Sequence, residues 1–542
     1  RPRCFEIEGV RNVMKERSLP RWVSIPGEQM KAIMKSKRKL WSFVLIIFLL
    51  GPMVALEARA EYQQVAGLMD LRSTFSDGAY DVDTLAKMAR ERGFEVVVIN
   101  DHDLMAMEYG LPPLRNVLKK REERNSISAS GADQYLQAIQ DAQKNNPGMI
   151  IIPGTESSPF YYWTGSVFDG GLTANNHERR LLTVGMENPK DYEGLPILHN
   201  GFSKRYLSMA FTELILFGVA LIAGIALIIW RGFYRIAGVA LALLSLVFAW
   251  NSNPFRSSPY DPYHGDQGIS PYQYFIDDVS SRGGITFWNY PETKSGVKDL
   301  GPIKVKTEPY PWVLLDSKGY TGFAALYGDT ITITEPGNLW DRVLTEYCRG
   351  YRDRPAWGIA TADYHKEGDA GEKLGNFQTI FLVKEKSRKA VLEAIKAGKM
   401  YAYRGNYPRS VRMDEFSVSD PAGEKKGLSG DDIVVKGRPR IKVALSVSEE
   451  TDQPVRVRLV RSGQLIETFD AKLPMTVDYE DVSAVIGEKH YYRMDMQGCG
   501  ILVSNPIFVK CEASDEPAPQ VQKKIKKAKY ERKKTGGYAK KI

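Results

Sequence analysis

The sequence has 542 residues, of which 43% are hydrophobic and 26% are charged, and its formal net charge is +9. This length suffices for two or three domains with full cores, and the composition is that of a globular protein. The positive charge concentrates at the ends, because residues 1–40 carry 11 Lys and Arg against 4 Asp and Glu, and residues 512–542 carry 10 against 4. The body between the ends is mildly acidic, so no nucleic-acid partner is expected.

The first 60 residues predict an upstream extension followed by a secretory signal. Residues 1–29 show no clear hydrophobic periodicity. Residues 30–60 combine a basic start, an apolar run from Trp41 to Leu56, and Ala58-Arg59-Ala60, which resembles an A-x-A cleavage site. This segment is interpreted as a signal peptide or, if it is not cleaved, as a short membrane anchor.

From residue 64 onward, apolar runs alternate with helical stretches, which is typical of β/α repeats. Helices are predicted at residues 83–92 and across most of 113–146, and strands at 96–99, 148–152 and 180–186. The strand at 148–152 ends in Pro153-Gly154-Thr155-Glu156, and the strand at 96–99 ends in Asn100-Asp101-His102-Asp103. In such repeats the ends of neighbouring strands open onto one face, so their polar residues are expected to share a site.

Residues 208–250 form two nearly continuous apolar runs, separated by a short segment that contains Arg231 and Arg235. Each run is near the roughly 20 residues that span a bilayer, and Trp230 and Trp250 stand where interfacial aromatic residues belong. The alternative is a buried helical hairpin in a soluble core, for which Glu213 is the best support. A transmembrane hairpin is predicted. After a secretory signal, two spans return the chain to the outside, so both flanking segments are expected in one extracytoplasmic compartment at the plasma (inner) membrane.

After the hairpin, helices are predicted at 272–281, 339–347 and 387–397, with a strand at 357–362 that ends in Asp363-Tyr364-His365. From about residue 409 the hydrophobic period falls to two, which predicts a β-sandwich over 409–511. Cys499 and Cys511 flank its last predicted strand and are either disulfide-bonded or unpaired. The lysine-rich residues 512–542 are predicted to be a disordered tail.

Acidic residues recur where predicted strands end, and two of these strand ends also carry a histidine. A mixture of carboxylates and imidazoles suits Mn, Fe or Zn better than Ca, and a two-metal phosphoesterase needs such a set. Each acid by itself is more simply a turn or cap residue, but their recurrence at successive strand ends argues against that reading. The acids and histidines concerned are Asp70, Asp77, Asp101, His102, Asp103, Glu156, Asp363 and His365.

These motifs resemble the PHP (polymerase and histidinol phosphatase) family, over roughly residues 64–404. The family's opening motif is matched by Ser76-Asp77-Gly78, and its later boxes are similar to the segments ending in Asp103, Glu156 and His365. The resemblance implies an α/β fold, a distorted (β/α)7 PHP-like barrel with first part 64–207 and second part 251–404. It further implies a site with two or three divalent metal ions and phosphoesterase chemistry.

The sequence departs from the family pattern at several ligand positions. Asp70 and Arg72 stand where the family has its first two histidines, Arg180 falls near its mid-chain histidine, and Asn289-Tyr290-Pro291 replaces its Ala-His-Pro box. Arginine cannot ligate a metal, because its guanidinium stays protonated. The expected metal ligands, which the resemblance carries over, are Asp77, His102, Glu156, Asp363 and His365. Asp70, Arg72 and Arg180 are expected to be catalytic, with the two arginines clamping an anion.

The predicted function is a membrane-anchored, metal-dependent phosphoesterase that acts outside the cytoplasm on a phosphorylated small molecule or polymer. A divalent metal (Mn, Fe or Zn) is its expected cofactor, and the lipid bilayer is its expected partner. The alternative is a catalytically degenerate anion-binding or sensing module of the cell envelope, and a third possibility is a structural envelope module. The retained Asp-His and Asp-x-His pairs favour the first two hypotheses over the third.

Overall fold

The computed structural model describes residues 62–513, apart from 169, 231, 330, 370, 371, 450 and 451. The predicted extension at 1–29, the predicted signal or anchor at 30–60 and all but the first two residues of the predicted tail at 512–542 lie outside the described residues.

The elements up to residue 404 alternate strands with helices. In chain order they are β1 Gln63–Leu71, α1 Val82–Glu91, β2 Val96–Ile99, β3 Met105–Gly110, β4 Lys119–Arg124, α2 Ile127–Ser130, α3 Ala132–Asn145, β5 Ile150–Ser157, β6 Tyr162–Thr164, β7 Thr173–Asn175, β8 Arg180–Val184, α4 Pro189–Glu193, a 3₁₀ turn Leu207–Ala210, α5 Phe211–Ile229, α6 Tyr234–Asn251, α7 Ser270–Ser281, β9 Ile285–Asn289, β10 Gly296–Leu300, β11 Ile303–Thr307, α8 Val313–Asp316, β12 Gly322–Leu326, α9 Leu339–Cys348, β13 Trp357–Ala360, β14 Phe377–Val383, α10 Arg388–Ala397 and β15 Met400–Arg404.

The remaining described elements are strands. They are β16 Val411–Ser419, β17 Lys426–Leu428, β18 Asp432–Lys436, β19 Arg440–Val447, β20 Val455–Arg461, β21 Gln464–Ala471, β22 Met475–Glu480, β23 Lys489–Gly498, β24 Gly500–Ser504 and β25 Ile507–Glu512.

The strands that carry the site lie side by side in the order β13-β12-β9-β8-β5-β2-β1. The pairs β1–β2, β2–β5, β9–β12 and β12–β13 are parallel, whereas β8 runs antiparallel to both β5 and β9. The chain after β13 returns to β1, because the Ala362 amide donates to the Met69 carbonyl at 3.2 Å and the Tyr364 amide donates to the Asp70 carbonyl at 3.1 Å. The carboxyl ends of the first and last strands therefore lie next to each other.

Apolar strands and capped helices explain why this part folds as it does. All four residues of β2 are buried, and α1 begins at the Asp81 side chain, which accepts the Thr84 amide. The helix predicted across 113–146 is wrong over Lys119–Arg124, which forms the exposed strand β4 paired with β3. This strand has no apolar alternation, so its pairing could not be recognised in the sequence.

The helices α5 and α6 form an apolar hairpin inserted between β8 and β9. Two helices, Leu207–Ile229 and Tyr234–Asn251, are long and apolar enough to cross a membrane, and few of their residues are buried. The two helices approach each other closely at small residues, since a Cβ added at Gly238 would lie 2.6 Å from the Gly224 carbonyl oxygen. Small residues at such a crossing are typical of helices that pack within a bilayer.

The C-terminal strands form two sheets that enclose a second core. One sheet has the order β17-β16-β19-β22, and the other contains β24, β23, β20 and β21. The second sheet is continuous with the first part of the molecule, because β15 pairs with both β14 and β24. The described cysteines Cys348, Cys499 and Cys511 are free, so Cys499 and Cys511 form no disulfide.

A buried ion pair also joins the two parts. The Arg493 guanidinium on β23 donates to both carboxylate oxygens of Asp341 on α9, each at 2.7 Å. The Tyr491 hydroxyl donates to the same carboxylate at 2.9 Å. All three side chains are buried, so this ion pair contributes to the stability of the fold only while both charges stay paired.

Candidate functional site

All eight residues predicted for the site lie together at the strand ends. Asp70 and Arg72 are at the end of β1, His102 follows β2, Glu156 is on β5, and Arg180 begins β8. Asp77 lies in the turn after β1, and Asp363 and His365 follow β13. Asp70, Tyr290 and Asp363 have φ angles of 68°, 46° and 46°. Left-handed backbone at non-glycine residues costs energy, and such residues concentrate at functional sites.

The turn after β1 is fixed by Asp101. Its carboxylate accepts the Ser73 amide at 2.7 Å, the Ser73 hydroxyl at 2.6 Å and the Ser76 hydroxyl at 2.5 Å. A Cβ added at Gly78 would lie 2.2 Å from the Arg72 carbonyl oxygen, so only glycine fits there. Asp101 is therefore fully engaged in holding the turn that presents Asp77.

The Arg72 guanidinium lies inside the carboxylate cluster. Its Nη1 donates to Asp70 at 2.6 Å, and its Nη2 lies 2.8 Å from Glu156 and 3.2 Å from Asp363. Nη1 also donates to the Asn100 carbonyl. Burial alone would lower the pKa of Arg72, but the three carboxylates raise it well above its ordinary value. The side chain is completely buried, and its positive charge is balanced by these three carboxylates.

A second guanidinium, that of Arg180, contacts the same cluster from the more open side. Its Nη1 lies 2.5 Å from Glu156 and 2.9 Å from Nδ1 of His102, and 19% of the side chain is exposed. Burial raises the pKa of Glu156, but Arg180 and Arg72 outweigh burial and lower it to about 2. Glu156 is therefore ionised and held by two arginines.

Asp70 and Asp103 are two of the buried carboxyls whose pKa values are raised. Burial raises the pKa of Asp70 to about 7, although Arg72 opposes this, and burial raises the pKa of Asp103 to about 7. Asp70 accepts hydrogen bonds from Asn289, at 3.0 Å, and from the Tyr290 hydroxyl. Asp103 accepts from the Ser157 hydroxyl and from the Leu104 amide.

Asp77 joins the two histidines at the mouth of the site. Its Oδ2 lies 3.4 Å from Nε2 of His102 and 3.3 Å from Nε2 of His365. Burial lowers the pKa of His365, but its hydrogen bond to the Asp77 carboxylate and the negative charges of Asp363 and Asp77 together outweigh burial and raise the pKa to about 9. Burial and Arg180 lower the pKa of His102. His365 is therefore the charged histidine of the pair.

The side chains at these strand ends do not fit a preformed metal cluster. Across residues 62–513, within the positions described, no group of three or more His, Cys, Asp or Glu side chains is arranged to hold a metal ion. The reason lies in the two guanidiniums. Arg72 takes the positions between Asp70, Glu156 and Asp363 that a cation would need, and Arg180 takes the other side of Glu156.

Two further residues contact the site, and in the sequence they stand out only as a departure from the family pattern. Asn289 donates to Asp70 and, at 2.7 Å, to Glu156, and Tyr290 donates to Asp70. Their position after the apolar run of β9 is the same strand-end signal that identified the others. His199 lies outside this cluster, with Nε2 3.0 Å from the Tyr161 hydroxyl and Nδ1 3.4 Å from Glu108.

No protein-family model and no curated protein matches the sequence. Solved structures that are similar in part include the three that follow. A two-domain protein from Bacteroides vulgatus that contains a predicted PHP-like metal-dependent phosphoesterase has a TM-score of 0.32 and 11% identity, covering 80% of this chain and 90% of that one. A putative metal-dependent phosphoesterase from Bifidobacterium adolescentis has a TM-score of 0.26 and 14% identity, covering 60% and 96%.

The third structure is an amidohydrolase from Chromobacterium violaceum with bound sulfate and no metal. It has a TM-score of 0.25 and 13% identity, covering 56% of this chain and 88% of that one. All three TM-scores are too low to establish a shared fold. The function is therefore inferred from the contacts within this chain.

Proposed function

We propose that this chain is a membrane-anchored PHP-like barrel whose strand-end site binds a small phosphorylated or otherwise anionic ligand without hydrolysing it. The return of the chain from β13 to β1, together with the neighbouring pairs from β1 to β13, supports a closed barrel. The site lies at the carboxyl ends of its parallel strands, which is where β/α barrels carry their functional residues.

The observation that carries the proposal is the burial of the Arg72 guanidinium between Asp70, Glu156 and Asp363. A fixed cation at this position supplies the charge compensation that a metal ion would otherwise give. It supplies no bound water and no Lewis acid, so it cannot generate the nucleophile on which metal-dependent hydrolysis depends.

Arg180 and His365 are the groups that a ligand can reach. Both are partly exposed, both face the mouth of the site, and His365 has a raised pKa. The exposed carboxylates Asp77 and Asp363 each lie beside a cation, His365 and Arg72 respectively. A phosphate or carboxylate group is therefore proposed to bind between Arg180 and His365, where guanidinium and imidazolium donors suit its oxygens.

The apolar hairpin is proposed to anchor this barrel in a bilayer. The length, apolarity and exposure of α5 and α6 support it, as does their close crossing at Gly224 and Gly238. The secretory signal predicted within residues 30–60 supports an extracytoplasmic position of the globular part at the inner membrane.

The test is a measurement of binding, metal content and turnover on the same purified full-length protein. We expect metal well below one ion per chain, no Mn-dependent hydrolysis of p-nitrophenyl phosphate or its diester, and saturable binding of inorganic phosphate by calorimetry. Arg180→Gln is expected to weaken that binding at least about tenfold, the loss of one charge-assisted contact. Arg388→Gln, which removes an arginine paired with Glu187 on the surface, is the control and should bind normally.

A second candidate is the one-metal phosphoesterase. It is favoured by the convergence of Asp77 with His102 and His365, and by the excess of carboxylates over guanidiniums in the site. A divalent ion would have to displace the His365 proton and draw these three side chains around itself. Stoichiometric metal with Mn-dependent hydrolysis that is lost in Asp77→Asn would establish this candidate and overturn the binding module.

A further inference from the structure

A cavity of about 150 Å³ lies where the apolar hairpin joins the globular part. Asn116, in the turn between β3 and β4, lines the cavity and is tied to Asn251, the last residue of α6. Its amide donates to Asn251 Oδ1 at 3.0 Å, and its Nδ2 donates to the Asn251 carbonyl at 2.8 Å. If the hairpin spans a bilayer, the cavity stands at the level of the lipid headgroups.

Four basic side chains contribute to the cavity lining: Arg115, Lys119, Arg121 and Arg256. Two of them are neutralised locally, because Lys119 lies 3.0 Å from the buried Glu108 and Arg121 lies 2.8 Å from Glu123. Asp261, the other carboxylate of the lining, accepts the Tyr263 amide at 2.8 Å. The two remaining arginines outnumber this one carboxylate and leave the cavity with an excess of positive charge.

Arg115 and Arg256 are held in place by neutral groups. Nη1 of Arg115 donates to the Gly110 carbonyl at 3.3 Å, and its guanidinium stands 4.0 Å from the centre of the Tyr263 ring. Arg256 donates to the carbonyl oxygens of Asn253 at 3.3 Å and Ser252 at 3.1 Å. Neither guanidinium forms a salt bridge with a carboxylate in the part of the chain that the structure describes. Both are positioned yet keep donors and charge for an anion.

Apolar side chains are exposed beside these arginines. Val117 and Leu118 follow Arg115 in the same turn, with exposed fractions of 38% and 53%. Phe202 is 66% exposed and stacks on Phe255, the neighbour of Arg256, with ring centroids 4.0 Å apart. Exposed apolar residues around fixed cations, next to the end of an apolar helix, are typical of a surface that meets the interfacial region of a membrane.

We propose that this cavity binds the phosphate group of an anionic phospholipid, with Arg115 and Arg256 as its donors. The inference depends on the membrane hairpin proposed above and is independent of the strand-end site. Free phosphate offers the same oxygens, but a lipid headgroup is delivered to this position by the bilayer itself. The bound lipid would fix the height and tilt of the barrel relative to the membrane.

The experiment uses the full-length protein in nanodiscs of phosphatidylcholine alone or of phosphatidylcholine mixed with phosphatidylglycerol. Thermal unfolding is followed by tryptophan fluorescence for the wild type and for Arg115→Gln/Arg256→Gln. The matched control is Arg412→Gln/Arg438→Gln, which removes two exposed arginines of the C-terminal sheets. A third arm adds millimolar inorganic phosphate to the phosphatidylcholine nanodiscs.

Phosphatidylglycerol is expected to raise the Tm of the wild type and of the control by at least about 2 °C, and that of the cavity variant by much less. An equal rise in wild type and cavity variant would overturn the proposal. A rise in Tm of the same size with inorganic phosphate alone would assign the cavity to free phosphate and overturn the proposal of a lipid ligand. Failure of the protein to enter nanodiscs of either composition would overturn the proposed membrane hairpin. Entry into both compositions without a headgroup preference is a different outcome and would overturn only the lipid site.

Discussion

Arg72 lies 2.6 Å from Asp70, two residues earlier in the same strand end, and both side chains are completely buried. Residues two apart on a strand lie on the same face, so this pair can form within one strand end, where Asp70 has a left-handed backbone with φ of 68°. The same guanidinium reaches Glu156 and Asp363 on other strand ends. One arginine therefore links three acidic strand ends that a metal-dependent enzyme would use as ligands.

Replacing this arginine by histidine should open the site to metal. In Arg72→His, Asp70, Glu156 and Asp363 lose their fixed cation and gain a neutral imidazole, a set that suits Zn or Mn. We expect elemental analysis to find added metal in Arg72→His and little in the wild type. Arg92→His, at a half-buried arginine paired with Glu367, is the control. A folded Arg72→His protein that takes up no more metal than the control would show that Arg72 is not what excludes the ion.

The raised pKa of Asp103 predicts a pH-dependent stability. Burial raises this pKa to about 7, above the ordinary value of 3.8, so between these values the folded protein holds a proton that the unfolded chain has lost. The contribution of Asp103 is therefore most favourable below about pH 4 and declines as pH rises toward 7. In Asp103→Asn the amide keeps an acceptor for Leu104 and stays neutral.

The measurement for Asp103 is urea unfolding at pH 5 and pH 8. On going from pH 5 to pH 8, the free energy of unfolding of Asp103→Asn is expected to rise by about 1–3 kcal/mol relative to that of the wild type. Asp83→Asn, at a partly exposed carboxylate on α1 whose pKa is lowered by Lys87, is the control and should show no such gain. A pH dependence unchanged by Asp103→Asn would contradict a neutral buried carboxyl.

The buried pair of Asp341 and Arg493 should be far more sensitive than pairs on the surface. Asp341→Asn leaves the Arg493 guanidinium buried without its bidentate partner, and we expect a loss of about 3–5 kcal/mol in the free energy of unfolding. Adding Arg493→Met to that variant should recover part of the loss, because the unpaired charge is removed. Asp470→Asn, which breaks the exposed pair with Arg456, is expected to leave unfolding unchanged. Equal losses in the two single variants would contradict this ranking.

The close crossing of α5 and α6 can be tested by comparing Gly238, which lies at the crossing, with Gly218, which does not. A Cβ at Gly238 would lie 2.6 Å from the Gly224 carbonyl and 2.8 Å from the Ile228 amide, whereas a Cβ at Gly218 meets nothing within 4 Å. Gly238→Ala should therefore separate the helices and destabilise the hairpin by about 1–3 kcal/mol, and Gly218→Ala should not. Thermal unfolding in detergent micelles measures the difference, and identical curves would contradict the packing.

Much of the fold follows from hydrophobic periodicity. The strand predicted at 96–99 is β2, the helix predicted at 83–92 is α1 within one residue at each end, and the helix predicted at 272–281 is α7 with two more residues at its start. The strand pair β3–β4 was not predictable, because Lys119–Arg124 is charged throughout and depends on its partner. The sharing of one sheet by β14, β15 and β24 is likewise a long-range pairing that no local pattern encodes.

The proximity of the candidate residues was predictable from the sequence, and their arrangement was not. Strand-end position and the family resemblance predict that Asp77, His102, Glu156 and the others share one site, and the structure brings these side chains together at the strand ends. They did not reveal that the Arg72 guanidinium is buried among the acids, because Glu156 and Asp363 are far from it in sequence. Arg72, which was expected to clamp an anion, is surrounded by the carboxylates of Asp70, Glu156 and Asp363.

The insertion of the apolar hairpin between β8 and β9 has a consequence for how the protein is made. Arg180 at the start of β8 pairs with Asn289 at the end of β9, and both apolar helices are synthesised between these two strands. The β8 edge therefore stays without β9 until both apolar helices and the segment up to β9 have been synthesised. Pairing of β8 with β9 completes this part of the sheet only after the whole apolar hairpin has been made.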